Sequence, residues 1–129
     1  MYYVTDTHSL IWYLTEDKKL GKKAFSIFAK ADRGEAIIIV PTIVLSEMIY
    51  ICEKKGAELK IKDVIHKIKN SLNYVPYNLD IETLEKLMNI KNISEMHDRI
   101  ITAIALLTGS ILITKDKEIT KSKTVETIW

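Results

Sequence analysis

Short apolar runs alternate along this chain with longer segments in which apolar residues recur every three or four positions. Three of the runs predict buried strands, because an apolar stretch without polar neighbours is typical of a strand covered on both faces. They are Tyr2 to Val4, Ala36 to Val40 and Ile111 to Ile113. Tyr74 to Tyr77 is a weaker candidate because it contains Pro76, and Thr124 to Trp129 is predicted to be a final edge strand.

Six segments show the spacing of a helix that buries one face. Three of them end at a glycine, which favours termination: 22–33 at Gly34, 42–55 at Gly56 and 95–108 at Gly109. The other three cover 10–14, 60–72 and 80–90, and Asp80 stands near the cap of the last. The charged stretch TKDKEITKSK, at 114–123, is predicted to be a loop.

Strands that alternate with helices predict right-handed βαβ units, in which parallel strands form one sheet and helices cover both of its faces. The expected fold class is α/β, with three layers in the order α/β/α. A length of 129 residues fits one domain, so we expect residues 1–129 to form a single domain.

The composition of the chain restricts its possible functions less than the hydrophobic pattern restricts its fold. Hydrophobic residues make up 47% and charged residues 28% of the chain, which excludes a disordered protein. The net charge of +2 does not indicate a polyanionic partner, so any anion must be held by a local patch. No apolar run is long enough to cross a membrane, and the single Cys52 cannot form an internal disulfide. We therefore expect a cytoplasmic protein.

Two aspartates come shortly after predicted strands. Asp6 follows the apolar residues that open the chain, and Asp116 follows Ile111 to Ile113 after Thr114 and Lys115. The carboxyl ends of parallel strands meet at one edge of a sheet, where ligands bind in α/β proteins, so both acids are candidates for chemistry. A structural role is open for each: Asp6 as the cap of the next helix, Asp116 as a turn residue.

Glu47 and Asp98 lie within predicted helices. The positions three and four residues from Glu47 are all apolar or aromatic, so its carboxylate would be partly desolvated and would need a partner. The alternative is that Glu47 reaches water from the edge of the apolar stripe. Asp98 stands near the start of the helix HDRIITAIAL, where an acid also interacts well with the helix dipole.

Considered together, the four acids predict one acidic pocket. Glu47 lies in the second turn of a helix that leaves the same sheet edge, and Asp98 joins it if its own helix begins there. Crowded carboxylates repel one another, and a hard divalent cation such as Mg²⁺ or Mn²⁺, which prefers oxygen ligands, removes that cost. We therefore predict that one set of acids binds the metal and carries the catalysis: Asp6, Glu47, Asp98 and Asp116.

Three stretches resemble the PIN domain family, and within it the VapC-type toxins of toxin–antitoxin pairs. They are VTDTHSLIWYL at the start, PTIVLSEMIYICEKKG in the middle and MHDRIITAIALLTGSILITKD near the end, in the family's order and spacing. Residues 57–93 match nothing specific. The resemblance places the family's acidic residues at Asp6, Glu47, Asp98 and Asp116.

The resemblance implies a ribonuclease that depends on Mg²⁺ or Mn²⁺, is built on a mainly parallel five-stranded sheet and leaves 5′-phosphate and 3′-hydroxyl ends. It also implies an RNA substrate, a homodimer and a cognate antitoxin. Thr114 would be an auxiliary hydroxyl beside the acids, and Glu118 stands where family members often carry a further acid.

An RNA backbone approaches an acidic pocket only if cations surround it, so a basic rim is expected. Arg99 and Lys115 adjoin the proposed ligands and are the best candidates for RNA contacts, although Arg99 could instead pair with a neighbouring acid. Trp12 and Tyr13 could stack bases, but at helical spacing beside Ile11 they also fit a core or a dimer interface.

Two other classes of protein compete with the nuclease. A catalytically inert PIN-like RNA-binding module would share the fold and cleave nothing. A receiver-type signalling domain also uses an acidic, Mg²⁺-binding pocket, but it needs adjacent acids after the first strand and an aspartate after the third. Here the first strand offers only Asp6, and the weak third strand reads YVPY with Asn78 after it.

Overall fold

The computed structural model describes residues 1–55 and 59–129. Within them lie five strands: β1 Tyr2–Thr5, β2 Ile37–Pro41, β3 Tyr74–Tyr77, β4 Ile111–Ile113 and β5 Thr127–Ile128. The same ranges hold seven helices: α1 Thr7–Leu14, α2 Lys22–Asp32, α3 Thr42–Lys55, α4 Ile61–Asn70, α5 Ile81–Leu87, α6 Met96–Thr108 and α7 Lys117–Ser122. The predicted α/β class is confirmed, while the predicted helix stop at Gly56 lies outside the described residues.

All five strands run parallel in one sheet, in the order β3-β2-β1-β4-β5. The central strand β1 pairs with β2 on one side and with β4 on the other. Val4, Ile38 and Leu112, one from each of these inner strands, are fully buried. Burial on both faces is why these strands read in sequence as uninterrupted apolar runs.

The strand order reverses between β1 and β4. From β1 the chain builds outward through β2 to β3, and it then returns to the other side of β1 to form β4 and β5. In open α/β sheets, ligands bind beyond the carboxyl ends of the strands at this kind of reversal. The order also excludes the receiver-type domain, whose sheet runs 2-1-3-4-5. Here β3 is an edge strand.

The helices form two packed groups. In the first, α1 packs against α2 and α3, and α3 packs against α4; in the second, α5 packs against α6, which lies on β1 and β4. Right-handed crossovers place the groups on opposite faces of the sheet, because the direction of strand addition reverses between them. Phe28, Met48 and Ile104 from these helices are fully buried. No helix of the described ranges is both long and apolar enough to span a bilayer.

The prediction of a loop over 114–123 was wrong, because Lys117–Ser122 form helix α7. The Asp116 side chain caps this helix by accepting a hydrogen bond from the Ile119 amide at 2.9 Å. Ile119 is fully buried and anchors the helix to the core. One apolar residue in a charged segment produces no periodic signal, so the pattern could not reveal this helix. The final strand is also shorter than predicted, since only Thr127–Ile128 pair with β4.

Candidate active site

A cavity of about 730 Å³ opens where β1 and β4 end. Its lining includes all four acids that the sequence singled out, each contributed by a different part of the chain. Asp6 comes from the β1–α1 junction, Glu47 from α3, Asp98 from the first turn of α6 and Asp116 from the β4–α7 junction. The acidic residues therefore lie at the place in the sheet where the strand order reverses.

Asp6 caps helix α1 and lines the cavity at the same time. Its Oδ1 accepts a hydrogen bond from the Ser9 amide at 2.9 Å and a second, short one from the Ser9 hydroxyl. Burial raises the pKa of the Asp6 carboxyl above its usual value, and hydrogen bonds from Ser9 and Thr114 oppose that rise. The capping role that the sequence left open is thus real, and it does not remove Asp6 from the cavity.

Thr114 connects the two acids that follow strands. Its side chain is buried, and its Oγ1 accepts a hydrogen bond from the Asp116 amide at 3.1 Å. The same hydroxyl is close enough to Asp6 to lower the pKa of that carboxyl by hydrogen bonding. Asp116 in turn caps α7, so both strand-end aspartates are fixed by the helix that each one begins.

Glu47 faces the cavity from the second turn of α3 and is partly buried. The Thr7 hydroxyl, in the first turn of α1, donates a short hydrogen bond to its Oε1. This bond ties α3 to α1 and aims the Glu47 carboxylate toward the end of β1. The sequence predicted that the partly desolvated Glu47 carboxylate would need a partner. That partner is the Thr7 hydroxyl.

Asp98 lies in an electrostatically unfavourable position in the cavity. Burial raises the pKa of its carboxyl to about 7, and nearby negative charges add to the rise. In decreasing order of effect, those charges belong to Asp116, Glu95, Asp6 and Glu47. Glu95, not Asp98, caps α6, because its side chain accepts a hydrogen bond from the Asp98 amide at 2.8 Å. The Asp98 carboxylate is therefore not needed as a cap.

The variant Asp98→Asn should be more stable than the wild type at pH 8. In the metal-free folded protein Asp98 holds its proton up to about pH 7, whereas the unfolded chain releases it near its model value of 3.8. The free energy of unfolding therefore falls as the pH rises between those values. After allowance for solvent screening, the variant should gain about 1–2 kcal/mol at pH 8 and little at pH 4.

Urea denaturation of both proteins at the two pH values, in EDTA, measures this gain. Glu53→Gln is the control, since Glu53 is exposed on α3 and does not line the cavity. A gain at pH 8 no larger than that of the control would show that Asp98 is not under electrostatic strain.

The cations near the cavity leave its acids unpaired. Among residues 1–55 and 59–129, no Lys or Arg nitrogen lies within 4.0 Å of any of the four acids. Lys115 and Lys117 line the cavity, and the Lys115 ammonium lies 4.7 Å from the centre of the Trp12 ring. Arg99 is directed elsewhere: its Nη2 donates to the Leu87 carbonyl at 3.3 Å, and it does not line the cavity. Of the two cations predicted to contact RNA, only Lys115 is positioned at this site.

The sequence did not predict two residues that line the cavity, and it placed near the site a third residue that lies elsewhere. Glu95 lines the cavity and caps α6, and its position three residues before Asp98 was an available signal. Trp129 also lines the cavity, which follows once β5 is placed parallel to β4. Glu118 is engaged elsewhere, because its Oε1 accepts hydrogen bonds from the Ser94 amide and hydroxyl at 2.9 and 3.0 Å.

The oxygen atoms that line the cavity are of the chemical type that binds a hard divalent cation. Their present arrangement suits such an ion less well. The acids and the Thr114 hydroxyl supply only oxygen, the ligand that Mg²⁺ and Mn²⁺ prefer. As the side chains lie, no three of the His, Cys, Asp and Glu residues in the described ranges are placed to hold a metal ion. The raised pKa of Asp98 shows that added positive charge would be stabilising here. We conclude that the residues fit such an ion, provided that the carboxylates draw closer together.

This chain combines a parallel five-stranded α/β sheet with an acidic cavity where the strand order reverses. That combination resembles the PIN nucleases. The comparison with known protein families agrees, because the family model described as PIN domain matches residues 3–123 of this chain. The chain therefore belongs to the PIN domain family. Domains of this family are in general nucleases that use divalent metal ions.

Solved structures with the same fold include three that align over nearly the whole of this chain. VapBC2 from Rickettsia felis, solved with a DNA fragment from its promoter, aligns with a TM-score of 0.73 at 13% identity over 99% of this chain and 98% of that one. A toxin–antitoxin complex from Klebsiella pneumoniae gives 0.70 at 15% identity over 98% and 96%. FitAcB from Neisseria gonorrhoeae gives 0.67 at 14% identity over 98% and 96%. At these identities the likeness establishes the fold alone. No curated protein matches the sequence significantly.

Proposed function

We propose that this chain is a metal-dependent endoribonuclease that hydrolyses RNA phosphodiester bonds. The observation that carries the proposal is a set of four acids, drawn from four segments, around one cavity at the reversal of strand order. None of them forms a salt bridge with a Lys or Arg of residues 1–55 and 59–129. Such a cluster costs stability, as the raised pKa of Asp98 indicates, and a fold keeps that cost where function needs the charge. Membership of the PIN domain family supports the nuclease class.

In this proposal the four acids are both the metal ligands and the catalytic residues: Asp6, Glu47, Asp98 and Asp116. A divalent ion such as Mg²⁺ or Mn²⁺ would supply Lewis-acid activation of water and charge neutralisation at the scissile phosphate. Thr114 is the auxiliary residue, because its hydroxyl oxygen accepts a hydrogen bond from the Asp116 amide and the same hydroxyl lowers the pKa of the Asp6 carboxyl. The Thr7 hydroxyl donates a hydrogen bond to the Glu47 carboxylate.

Lys115 is the cation that we propose to contact the RNA backbone, because it lines the cavity beside Asp116. A single ammonium at the edge of an acidic site can hold a phosphate without neutralising the acids themselves. Arg99 stays a sequence prediction with less support, because its guanidinium is directed toward α5.

We further propose that the protein is the toxin of a type II toxin–antitoxin pair, a cytoplasmic homodimer blocked by a cognate antitoxin. The support is the likeness in fold to solved structures that include one described as a toxin–antitoxin complex. One continuous hydrophobic core also supports a single domain over residues 1–129.

An inert RNA-binding module of the same family is the second candidate, favoured by the present separation of the carboxylates.

The test is cleavage of total cellular RNA by the purified protein in Mg²⁺ or Mn²⁺, and again in excess EDTA, with the product ends mapped by sequencing. We expect cleavage only with the metal, at defined positions, leaving 5′-phosphate and 3′-hydroxyl ends. Equal cleavage in EDTA would contradict the metal-dependent mechanism. Binding of RNA without cleavage in either metal would favour the inert module.

A further inference from the structure

Two tryptophans form one wall of the acidic cavity. Trp12, on α1, and Trp129, after β5, both line it, and their ring centroids are 5.9 Å apart with the planes at 72°. Both side chains are only partly buried, so aromatic surface remains open to the cavity. We call this pair the aromatic wall. These are the only two tryptophans of the chain.

The fold positions Trp129 through the sheet and through a glycine. The Thr114 amide donates to the Ile128 carbonyl at 3.2 Å, which fixes the residue before Trp129 against the end of β4. A Cβ at Gly21 would lie 2.6 Å from both the backbone carbonyl carbon and the ring Cδ1 of Trp129. The backbone of Gly21 has φ −65° and ψ 155°, which any residue can adopt, so a glycine is required here by the close approach of Trp129 and not by backbone conformation.

Cations accompany the aromatic wall. The Lys115 ammonium lies 4.7 Å and the Lys19 ammonium 5.7 Å from the centre of the Trp12 ring. Both distances are within the range of a cation–π interaction. The wall therefore offers flat aromatic surface and positive charge together, on the same cavity that the four acids line. That combination suits a ligand that is itself part aromatic and part anionic.

We propose that the aromatic wall stacks an unpaired nucleobase of the RNA next to the scissile phosphodiester, while Lys115 binds a neighbouring phosphate. A nucleotide is the occupant that matches flat aromatic surface, adjacent cations and contact with the proposed catalytic acids. Stacking on an indole needs an exposed base face, so the bound nucleotide is single-stranded. The inference rests on the proposed function, because it assumes that RNA is the ligand of the cavity.

Tryptophan fluorescence reports on this wall alone, because the chain has no tryptophan elsewhere. The protein in EDTA is titrated with single-stranded penta-adenylate, with a blunt-ended G·C-rich RNA duplex long enough to stay paired, and with an abasic ribose-phosphate pentamer. We expect penta-adenylate to quench the emission, and the duplex and the abasic pentamer to leave it nearly unchanged. Quenching that is equal for the abasic pentamer, or absent for all three probes, would overturn the proposal.

Variants separate the contribution of the bases from that of the phosphates. Trp129→Ala should weaken binding of labelled penta-adenylate by roughly tenfold, measured by fluorescence anisotropy in EDTA, and should barely affect the abasic pentamer. Lys115→Gln should weaken both and lower the slope of log Kd against log salt by about 0.7. The matched controls are Tyr50→Ala and Lys54→Gln, an aromatic–cation pair on α3 that does not line the cavity.

The outcomes distinguish this inference from the proposed function. If RNA is cleaved with the metal but Trp129→Ala binds penta-adenylate as tightly as Tyr50→Ala does, the aromatic wall is not a base site and the nuclease stands. If bases quench the emission but no RNA is cleaved with any metal, the base site stands and the nuclease falls.

Discussion

Asp6→Asn should lower the rate of RNA cleavage in saturating Mg²⁺ by roughly a thousandfold, while the melting temperature stays at or above that of the wild type. The loss follows because an amide removes one negative charge from the metal-binding set, and a bound metal contributes several kcal/mol to stabilising the transition state. The fold is spared because asparagine caps a helix about as well as aspartate, so the hydrogen bond from the Ser9 amide is kept. Burial of a carboxyl with a raised pKa is also relieved.

A matched control exists in the same chain. Asp80 caps α5 as Asp6 caps α1, accepting hydrogen bonds from the Thr83 amide at 2.8 Å and the Thr83 hydroxyl at 2.7 Å. Asp80 is exposed and does not line the cavity, so Asp80→Asn should cleave at the wild-type rate. Single-turnover kinetics on one mapped substrate compare the three proteins. If Asp6→Asn keeps its rate within tenfold of the wild type, Asp6 is a cap and nothing more.

Saturating Mg²⁺ or Mn²⁺ should raise the melting temperature of the wild type by roughly 10 °C at a metal concentration one hundred times the Kd. A ligand that binds only the folded state at that concentration stabilises it by about 2.7 kcal/mol, and a chain of this size converts each kcal/mol into a few degrees. Burial and nearby carboxylates raise the pKa of Asp98, and the relief of that cost by the metal is already contained in the Kd, so it adds nothing to the expected shift. Differential scanning calorimetry in EDTA and in metal measures it.

The variants define what this stabilisation depends on. Asp6→Asn and Asp116→Asn should each lose most of the shift, whereas Asp80→Asn should keep it, since only the first two lie at the reversal of strand order. A wild-type melting temperature that is the same in EDTA and in metal would argue against a shared site. So would a shift that survives in Asp6→Asn, because it would show that the metal binds elsewhere.

The sheet was predictable from the sequence because its inner strands are buried on both faces. Strands β1, β2 and β4 read as apolar runs for that reason, and the start of α3 at Thr42 followed from Pro41. Helix α7 was not predictable, since its stability comes from the Asp116 cap and from burial of Ile119, which is a tertiary contact. The hydrophobic pattern of a segment predicts its secondary structure well where buried residues recur periodically. It predicts poorly where a single residue of the segment is buried.

The candidate site was predictable in position but not in its details. Parallel strand ends meet at one edge, so Asp6 and Asp116 could be placed together before any coordinates were known. The direction of a side chain within a helix could not be read in the same way. Arg99, next to Asp98 in sequence, is directed toward Leu87 instead, while Glu95 turns into the cavity from the cap of α6. Sequence adjacency does not bring side chains to the same face of a helix.

The sequence posed capping and a place at the proposed site as alternatives for Asp6, and the structure shows that the two are compatible. The hydrogen bonds from Ser9 that cap α1 go to Oδ1. The same side chain lines the cavity. For Asp116 the capping bond from the Ile119 amide likewise goes to Oδ1. Capping fixes the orientation of each carboxylate, which is what a preorganised ligand requires.

The most direct test of the central claim is an anomalous difference map from crystals grown in saturating Mn²⁺. The account predicts a peak inside the cavity, in contact with carboxylate oxygens of Asp6 and Asp116 and with at least one of Glu47 and Asp98. A map with no manganese in the cavity, or with manganese bound away from both strand-end aspartates, would contradict it.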